Sequence, residues 1–504
     1  MNNNIQVPSN WVVTKVVDLC IIISGNTPKN LPSAKTTGQT PFYKISDMNS
    51  KGNGVYMDTS ALYLTDGEAK ELKVKIEKAG TIIFPKRGGA ILTNKKRILK
   101  RDSYFDLNLM GVRPKYELLS NEYLWYWITK LDLSKLYDGS NVPQINNKDI
   151  EPLLFPLPPL PEQHRIVAKI EELFSELDKG VESLRTAQQQ LKVYRQAVLK
   201  SAFEGKLTQE WRLLHPQPDA AELLDQIQTE REAQAKATGK KLKPIAPLTE
   251  ADLTELPELP EGWEWTKVHS VAESCLGKML DKEKNRGILK PYLRNINVRW
   301  GSFDLVDLLE MRFEENENER FGIKYGDLIV CEGGEPGRAA IWRDQVSDMK
   351  IQKALHRIRF IKLVKVDFFY YYLVFSASAK ILDRYFTGTT IKHLTGESLN
   401  QFCFPICSLY EQNQIVQELE SRLSVCDKLE ETITQSLRKA EALRQSILKQ
   451  AFEGKLVPQD PNDEPASVLL ERIRSQREMD VPQSSKRGKR AQLPLQQTIS
   501  FDNF

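Results

Sequence analysis

The chain has 504 residues, 40% of them hydrophobic and 27% charged, with a formal net charge of +4. That length predicts several domains and that balance a soluble, globular protein. The longest unbroken apolar run, Phe368 to Phe375, falls far short of the roughly 20 residues a membrane helix needs, and the start, MNNNIQVPSNW, lacks the basic-then-apolar order of a secretory signal.

Six cysteines (Cys20, Cys275, Cys331, Cys403, Cys407 and Cys426) lie scattered with no C-x-x-C. Neither a disulfide framework nor a zinc site is predicted, and a reducing cytoplasm is the expected compartment. Charge is unevenly spread. Residues 86–101 carry seven Lys or Arg and no acid, residues 286–299 carry four and none, and residues 350–365 carry six plus His356 and none. Residues 304–319 hold seven acids and one Arg. Each basic stretch alone could be a solvated face. Three of them, each inside one of two parallel units, point to a polyanion partner.

In chain order, PSNWVVTKVVDL (8–19) opens a first unit of mixed pattern. TPFYKIS (40–46), GTIIFPK (80–86) and ILTNKKRIL (91–99) read as short strands between Gly, Asn and Asp turns. NEYLWYWITK (121–130) reads as a short amphipathic helix. The proline run at 156–161 predicts a stiff, extended exit from the unit.

Residues 162–207 then read as one long helix, and residues 411–456 repeat it at an offset of 249 without a gap, with 19 identities in 46 positions. Chance does not give that, so the chain is an internal duplication. Both copies lack an internal Pro and are rich in Glu, Leu, Lys, Gln and Arg. Pro161 suits a first helical turn, and Ser408 to Glu411 has the capping-box form. Gly205 and Gly454 stand where a left-handed C-terminal cap belongs. Ile170, Leu177, Leu184, Leu191 and Val198 recur every seven residues, as do Leu419, Cys426, Ile433, Ala440 and Ile447. Such a seam wants a partner helix. Each helix would span roughly 70 Å at about 1.5 Å per residue, too long for one ordinary domain. The simplest arrangement pairs the two copies antiparallel; packing on the preceding unit, or on another chain, is the alternative.

The duplication includes the globular parts. Trp11, Thr14, Lys15 and Val16 match Trp263, Thr266, Lys267 and Val268. KPYLRNINV (290–298), GDLIVCEGG (326–334) and DFFYYYLVFSAS (367–378) repeat the order of the first unit with little of its sequence. Residues 220–236 read as a helix within a linker, LLDQIQTERE (223–232) resembles LLERIRSQRE (469–478), and residues 479–504 read as disordered. The predicted fold class is α+β: two mixed α/β globular units in tandem, separated by two long helices forming an antiparallel coiled coil, with a pseudo-two-fold internal repeat. The expected boundaries are 1–158, helix 159–207, linker 208–258, 259–407, helix 408–456, and 457–504 as a C-terminal helix and tail.

Catalytic motifs are wanting. There is no G-x-x-x-x-G-K-[ST], and GGEPGR (333–338) lacks the lysine and spacing. There is no G-x-G-x-x-G after a strand and no Asn- or Asp-Pro-Pro-aromatic run. The five His are far apart, with no metal-ligand spacing. His164 and His215 read as surface residues; His356 and His393 are candidates to touch a ligand. The residues describe a recogniser and scaffold rather than an enzyme.

The whole plan, given twice, resembles the specificity subunit of Type I restriction–modification systems. The residues that carry the resemblance are Gly139 to Ile145, Pro158 to Gln163, Ile166-Val167 and Ala202 to Leu207, with Gly388 to Leu394, Glu411-Gln412, Ile415-Val416 and Ala451 to Leu456 in the second half. The second approach, FPICSLYEQ, departs by lacking the proline run, and the tail has no place in the basic plan. The resemblance implies that each unit reads one half of a split target in double-stranded DNA and that the paired helices set the unread spacer. It implies no catalysis and no cofactor on this chain. S-adenosylmethionine, ATP and Mg are expected on two methyltransferase subunits and the motor-nuclease subunits that join it. A tandem DNA-binding adaptor of a modification-only system is one alternative, and a coiled-coil interaction protein with non-DNA ligands another.

Base readout favours Arg and Lys on guanine, and Asn and Gln on adenine. The basic stretches therefore nominate Lys86, Arg87, Asn94, Lys95, Lys96 and Arg97 in the first unit. In the second they nominate Arg294, Asn295, Asn297, Arg299, Arg338 and Arg357.

Overall fold

A computed structural model describes residues 6–137, 142–239, 248–250, 254, 256–281 and 283–479. The predicted tail at 479–504 lies outside these residues beyond Met479. The chain divides into two compact units. The first takes the chain up to Ser183 and again from Ser436; the second is Leu184–Gln435. Both are α+β.

In the first unit a five-stranded sheet runs in the order Cys20–Ser24, Leu109–Pro114, Ile82–Pro85, Arg97–Leu99, Tyr56–Met57. Leu109–Pro114, second in that order, is antiparallel to both neighbours, so Val112 lies opposite Ile22 on one side and Ile82 on the other. Ile82–Pro85 and the first four residues of Leu109–Pro114 are buried throughout, which is why they read as nearly continuous apolar runs. A smaller sheet sets Thr40–Tyr43 between Tyr63–Leu64 and Tyr104–Phe105. The helix Asn121–Lys130 forms where its pattern predicts and buries Tyr123, Leu124, Trp127 and Ile128.

The second unit repeats this plan. Its sheet order is Ala272–Leu276, Leu355–Phe360, Leu328–Cys331, Ala339–Ile341, beside a three-stranded sheet of Leu309–Phe313, Ile288–Leu293 and Lys350–Ile351. The helix Val366–Ser378 buries Phe368, Phe369, Tyr372 and Leu373. In each unit a two-stranded ribbon ties the entry to the exit: Val12–Lys15 with Leu154–Leu157, and Glu264–Lys267 with Cys403–Ile406.

One strand expectation fails. Of residues 91–99 only Arg97–Leu99 is strand, because Gly88–Thr93 winds into a 3-10 helix that Asn94 ends at φ 53°. Asn tolerates that left-handed turn better than most residues.

The two long helices are Leu160–Phe203 and Leu409–Phe452. The first starts at Leu160, so Pro161 sits in its first turn without breaking a backbone bond. Gly205 and Gly454 adopt φ +66° and +69°, the left-handed cap geometry. The repeated Ala-Phe before each cap closes a core. Phe452 packs 5.1 Å from Tyr123 in the first unit, and Phe203 lies 5.1 Å from Tyr372 and 5.4 Å from Phe368 in the second. Burying one such ring contributes about 1.5–3 kcal/mol.

Within the first unit Arg444 pairs with Asp178 and stacks over the Phe174 ring at 4.3 Å. Within the second, Arg195 meets Asp427 at 2.6 Å and Glu430 at 3.2 Å. Of the seam positions, Ile170, Val198, Leu419, Cys426, Ile433 and Ile447 are buried. Leu177, Leu184, Leu191 and Ala440 are half-buried.

The Glu-Gln pair that opens each helix is buried. Gln163 accepts from Ser120 N at 2.8 Å and donates to Pro158 O at 3.1 Å; Gln412 accepts from Lys365 N at 2.8 Å and donates to Cys407 O at 2.8 Å. The pair fastens the helix start to its unit. At Ser408 only half of the expected capping box forms: Glu411 N donates to Ser408 Oγ at 3.2 Å, while the Glu411 carboxylate turns to other partners.

Candidate nucleic-acid interface

The same local construction occurs once in each unit, at the end of the strand that follows a Gly turn. In the first unit Ile82–Pro85 runs on as Lys86-Arg87. Lys86 N donates to Asn108 O at 2.8 Å, and Ile145 N donates to Lys86 O at 2.9 Å. In the second unit Leu328–Cys331 runs on as Glu332-Gly333. Glu332 N donates to Ala354 O at 2.9 Å, and Leu394 N donates to Glu332 O at 2.7 Å. Lys86 and Glu332 are thus equivalent, as are Arg87 and Gly333. Each strand end is held between a hairpin turn and the segment just before the exit ribbon.

A second matched pair lies nearby. Lys44 N donates to Asp47 Oδ2 at 2.7 Å, and Arg294 N to Asn297 Oδ1 at 2.9 Å. Asp47 and Asn297 are both buried and both cap a short 3-10 turn. Asn297 also donates to Asp304 O at 3.0 Å and Asp307 O at 3.1 Å. Its role is to fold this turn, as Asp47 does in the other unit.

Three further corrections follow from burial. Lys96 is 6% exposed and gives its ammonium to Asn94 Oδ1 at 2.7 Å and Leu131 O at 2.6 Å. Burial holds its pKa down at about 8. Arg357 is 5% exposed and donates Nη1 to Gly322 O and Glu319 O at 2.8 and 3.0 Å. His356 is buried with Nε2 on Leu394 O at 2.9 Å, and burial lowers its pKa. Lys96, Asn297, Arg357 and His356 therefore hold the chain's own backbone and are removed from the candidate surface. An internal carbonyl satisfies a cation that burial would otherwise make costly.

The remaining nominees divide. Arg97 spends Nε, Nη1 and Nη2 on the carbonyls of Asn53, Lys96 and Met48. Asn94 also accepts from Leu133 N at 3.0 Å, and Lys95 reaches Asn49. Arg294 pairs with Asp307 at 2.8 Å, and the exposed Arg299 lies 3.5 Å from Asp304. Arg338 bridges Glu335 at 2.9 Å and Asn295 Oδ1 at 2.9 Å, and Asn295 donates to Gly333 O. Lys86 is half-buried, and desolvation, then Arg87, lowers its pKa.

Arg87 stands apart. It is exposed, and its Nε donates to Gln144 Oε1 at 3.2 Å. Gln144 is in turn held by its Nε2 on Asn146 Oδ1 at 2.6 Å. This fixes the guanidinium plane and leaves both Nη groups without a partner among the described residues. Sequence reasoning missed Gln144 and Glu332 as members of the surface. The 249-residue offset relates Ile145 to Leu394, but only the folded backbone brings those segments to the strand ends.

The glycine-rich GGEPGR is a tight hairpin. Gly337 has φ +89°, and a Cβ there would lie 2.2 Å from Leu382 Cδ2. Among the described residues no group of His, Cys, Asp and Glu could hold a metal, and no helix is long and apolar enough to cross a membrane.

Two alike frameworks with unlike edges, joined by two 44-residue helices, define a duplicated recognition scaffold. The chain belongs to the family of Type I restriction modification DNA specificity domains, whose sequence model matches residues 8–184 and again 260–439. It is 24% identical to the EcoKI specificity subunit of Escherichia coli K12, covering 96% of this chain and 99% of the relative. It is 21% identical to the MjaVIII specificity subunit of Methanocaldococcus jannaschii, covering 90% and 95%. A chain solved in work on the assembly and conformational transition of the type I R-M system shares the fold at TM-score 0.62 and 17% identity, covering 89% of this chain and 99% of that one.

Proposed function

We propose that this chain is the sequence-specificity subunit of a type I restriction–modification complex. Each head reads one half of a split duplex target, and the chain itself carries no catalytic step. The reading rests above all on one observation: the strand-end construction is shared by the two heads, yet it carries Lys86-Arg87 in one and Glu332-Gly333 in the other. A framework kept while its exposed chemistry changes suits two reading heads that meet different bases.

In this reading the recognition heads span 1–158 and 259–407 and the spacer segments 159–207 and 408–456, whose helical parts are Leu160–Phe203 and Leu409–Phe452. The helices pair as one antiparallel coiled coil. Contacts of Asp178 with Arg444, and of Arg195 with Asp427, support the pairing. Two methyltransferase subunits supply S-adenosylmethionine chemistry on adenine, and motor-nuclease subunits supply ATP- and Mg-dependent cleavage. The complex works in the cytoplasm.

The test is duplex binding by the full chain assembled with its methyltransferase partner. Specific binding to a split site, with affinity falling steeply as salt rises, is the expected result, since phosphate contacts release counterions. Binding only to an uninterrupted site, or none at any sequence, would overturn the reading.

A further inference from the structure

We propose that the two strand ends read opposite base chemistry: Arg87 takes the acceptor edge of a guanine in one half-site, and Glu332 accepts from the amino group of a cytosine in the other. The proposal rests on the DNA-reading function above and adds what each head reads.

The backbone at Lys86 and at Glu332 makes the same two hydrogen bonds, to a hairpin turn and from the segment before the exit ribbon. Two positive side chains at that place in the first head are replaced by one negative side chain and a glycine in the second. A surface that merely held phosphates would keep its positive charge in both heads.

Arg87 has the geometry of base readout. Its Nε is tied to Gln144, and Gln144 to Asn146, so the plane is set before any ligand arrives. The two Nη groups then present a fork that matches the O6 and N7 of guanine. Preset orientation spares the rotamer entropy that a free surface arginine would lose on binding.

Glu332 is half-buried, its negative charge acts on the nearby buried His356 ring, and its carboxylate has no hydrogen-bond or ion-pair partner among the described residues. Arg338, the nearest nominated cation in sequence, is already engaged with Glu335 and Asn295. An unpaired carboxylate on a DNA-facing edge is repelled by phosphate. It gains only where it accepts from an exocyclic amino group, and cytosine N4 in the major groove is the usual donor to a carboxylate.

The experiment uses the full chain assembled with its methyltransferase partner and a duplex library randomised in both half-sites. Wild type should enrich guanine at one position of one half and cytosine at one position of the other. Arg87→Ala should flatten that guanine preference about tenfold or more and leave the other half unchanged. Arg87→Lys, which keeps the charge but loses the fork, should retain much of the affinity and still lose the preference. Glu332→Ala should flatten the cytosine position alone. An Arg87→Ala loss that is equal for all sequences would make Arg87 a phosphate contact and overturn the assignment. So would a Glu332→Ala variant that binds every sequence more tightly with its preferences intact. In those cases the split site is still enriched and the specificity function stands. A wild-type complex that enriches no split site would overturn both.

Discussion

The indole Nε1 of Trp263 donates to Glu411 Oε2 at 3.0 Å. The other carboxylate oxygen accepts from Thr208 Oγ1 at 2.7 Å and from Arg212 Nε and Nη2 at 2.9 and 2.7 Å. One buried glutamate thus joins the residue just before the entry strand, the start of the second long helix and the segment after the first. Glu411→Ala would strand a largely buried guanidinium and an indole donor, and should cost the second unit about 3 kcal/mol in chemical denaturation. The counterpart Glu162 accepts side-chain hydrogen bonds from two neutral donors among the described residues, Asn10 at 3.3 Å and Gln459 at 3.2 Å, and feels the Arg165 charge only at longer range. Glu162→Ala should cost about 1 kcal/mol. Equal losses would deny the charged network its special weight.

Gly205 ends the first long helix at φ +66°, and a Cβ would lie 2.2 Å from Pro260 Cγ. Gly454 repeats this at φ +69°, 2.3 Å from Pro8 Cγ. Gly205→Ala and Gly454→Ala should each destabilise by about 2–3 kcal/mol, from backbone strain plus overpacking. Gly180, mid-helix with open space around it, is the control. Gly180→Ala should be neutral or stabilise by up to about 1 kcal/mol.

Burial lowers the Lys96 pKa from 10.5 to about 8 in the folded chain. The unfolded chain therefore binds more protons between about pH 8 and 10.5, and the first unit should gain stability as pH rises through that window. After relaxation and water penetration the gain should be on the order of 1–2 kcal/mol. Lys96→Met should remove that slope. Parallel stability curves for the two proteins from pH 8 to 10 would show that the buried lysine is not the cause.

If the long helices set the target spacing, four residues inserted within 180–190 lengthen one helix by about 6 Å. With a rise of roughly 3.4 Å per base pair, the preferred spacer should shift by one or two base pairs. Mapping methylated adenines in a host carrying the variant reads this directly; unchanged spacing would end the ruler idea.

Much of this was legible from residue order. Heptad leucines marked the long helices because a 3.6-residue turn puts every seventh side chain on one face. The apolar pattern of Asn121–Lys130 located its helix within the sequence, since four large side chains share its inner face. The candidate surface was less legible. Lys96, Arg97 and Arg357 read as a polyanion's footprint, yet they serve internal carbonyls. A cation's charge is visible in a sequence; its direction is not.

Residue order alone carried the duplication, the two long helices with their capping glycines, and the order of elements in each head, because periodicity and local backbone preference act over a few residues. That Phe203 and Phe452 complete the cores of the two units, and that Glu332 stands where Lys86 stands, is visible only in the folded chain. Those facts depend on hydrogen bonds and burial between segments tens to hundreds of residues apart, which no local pattern encodes.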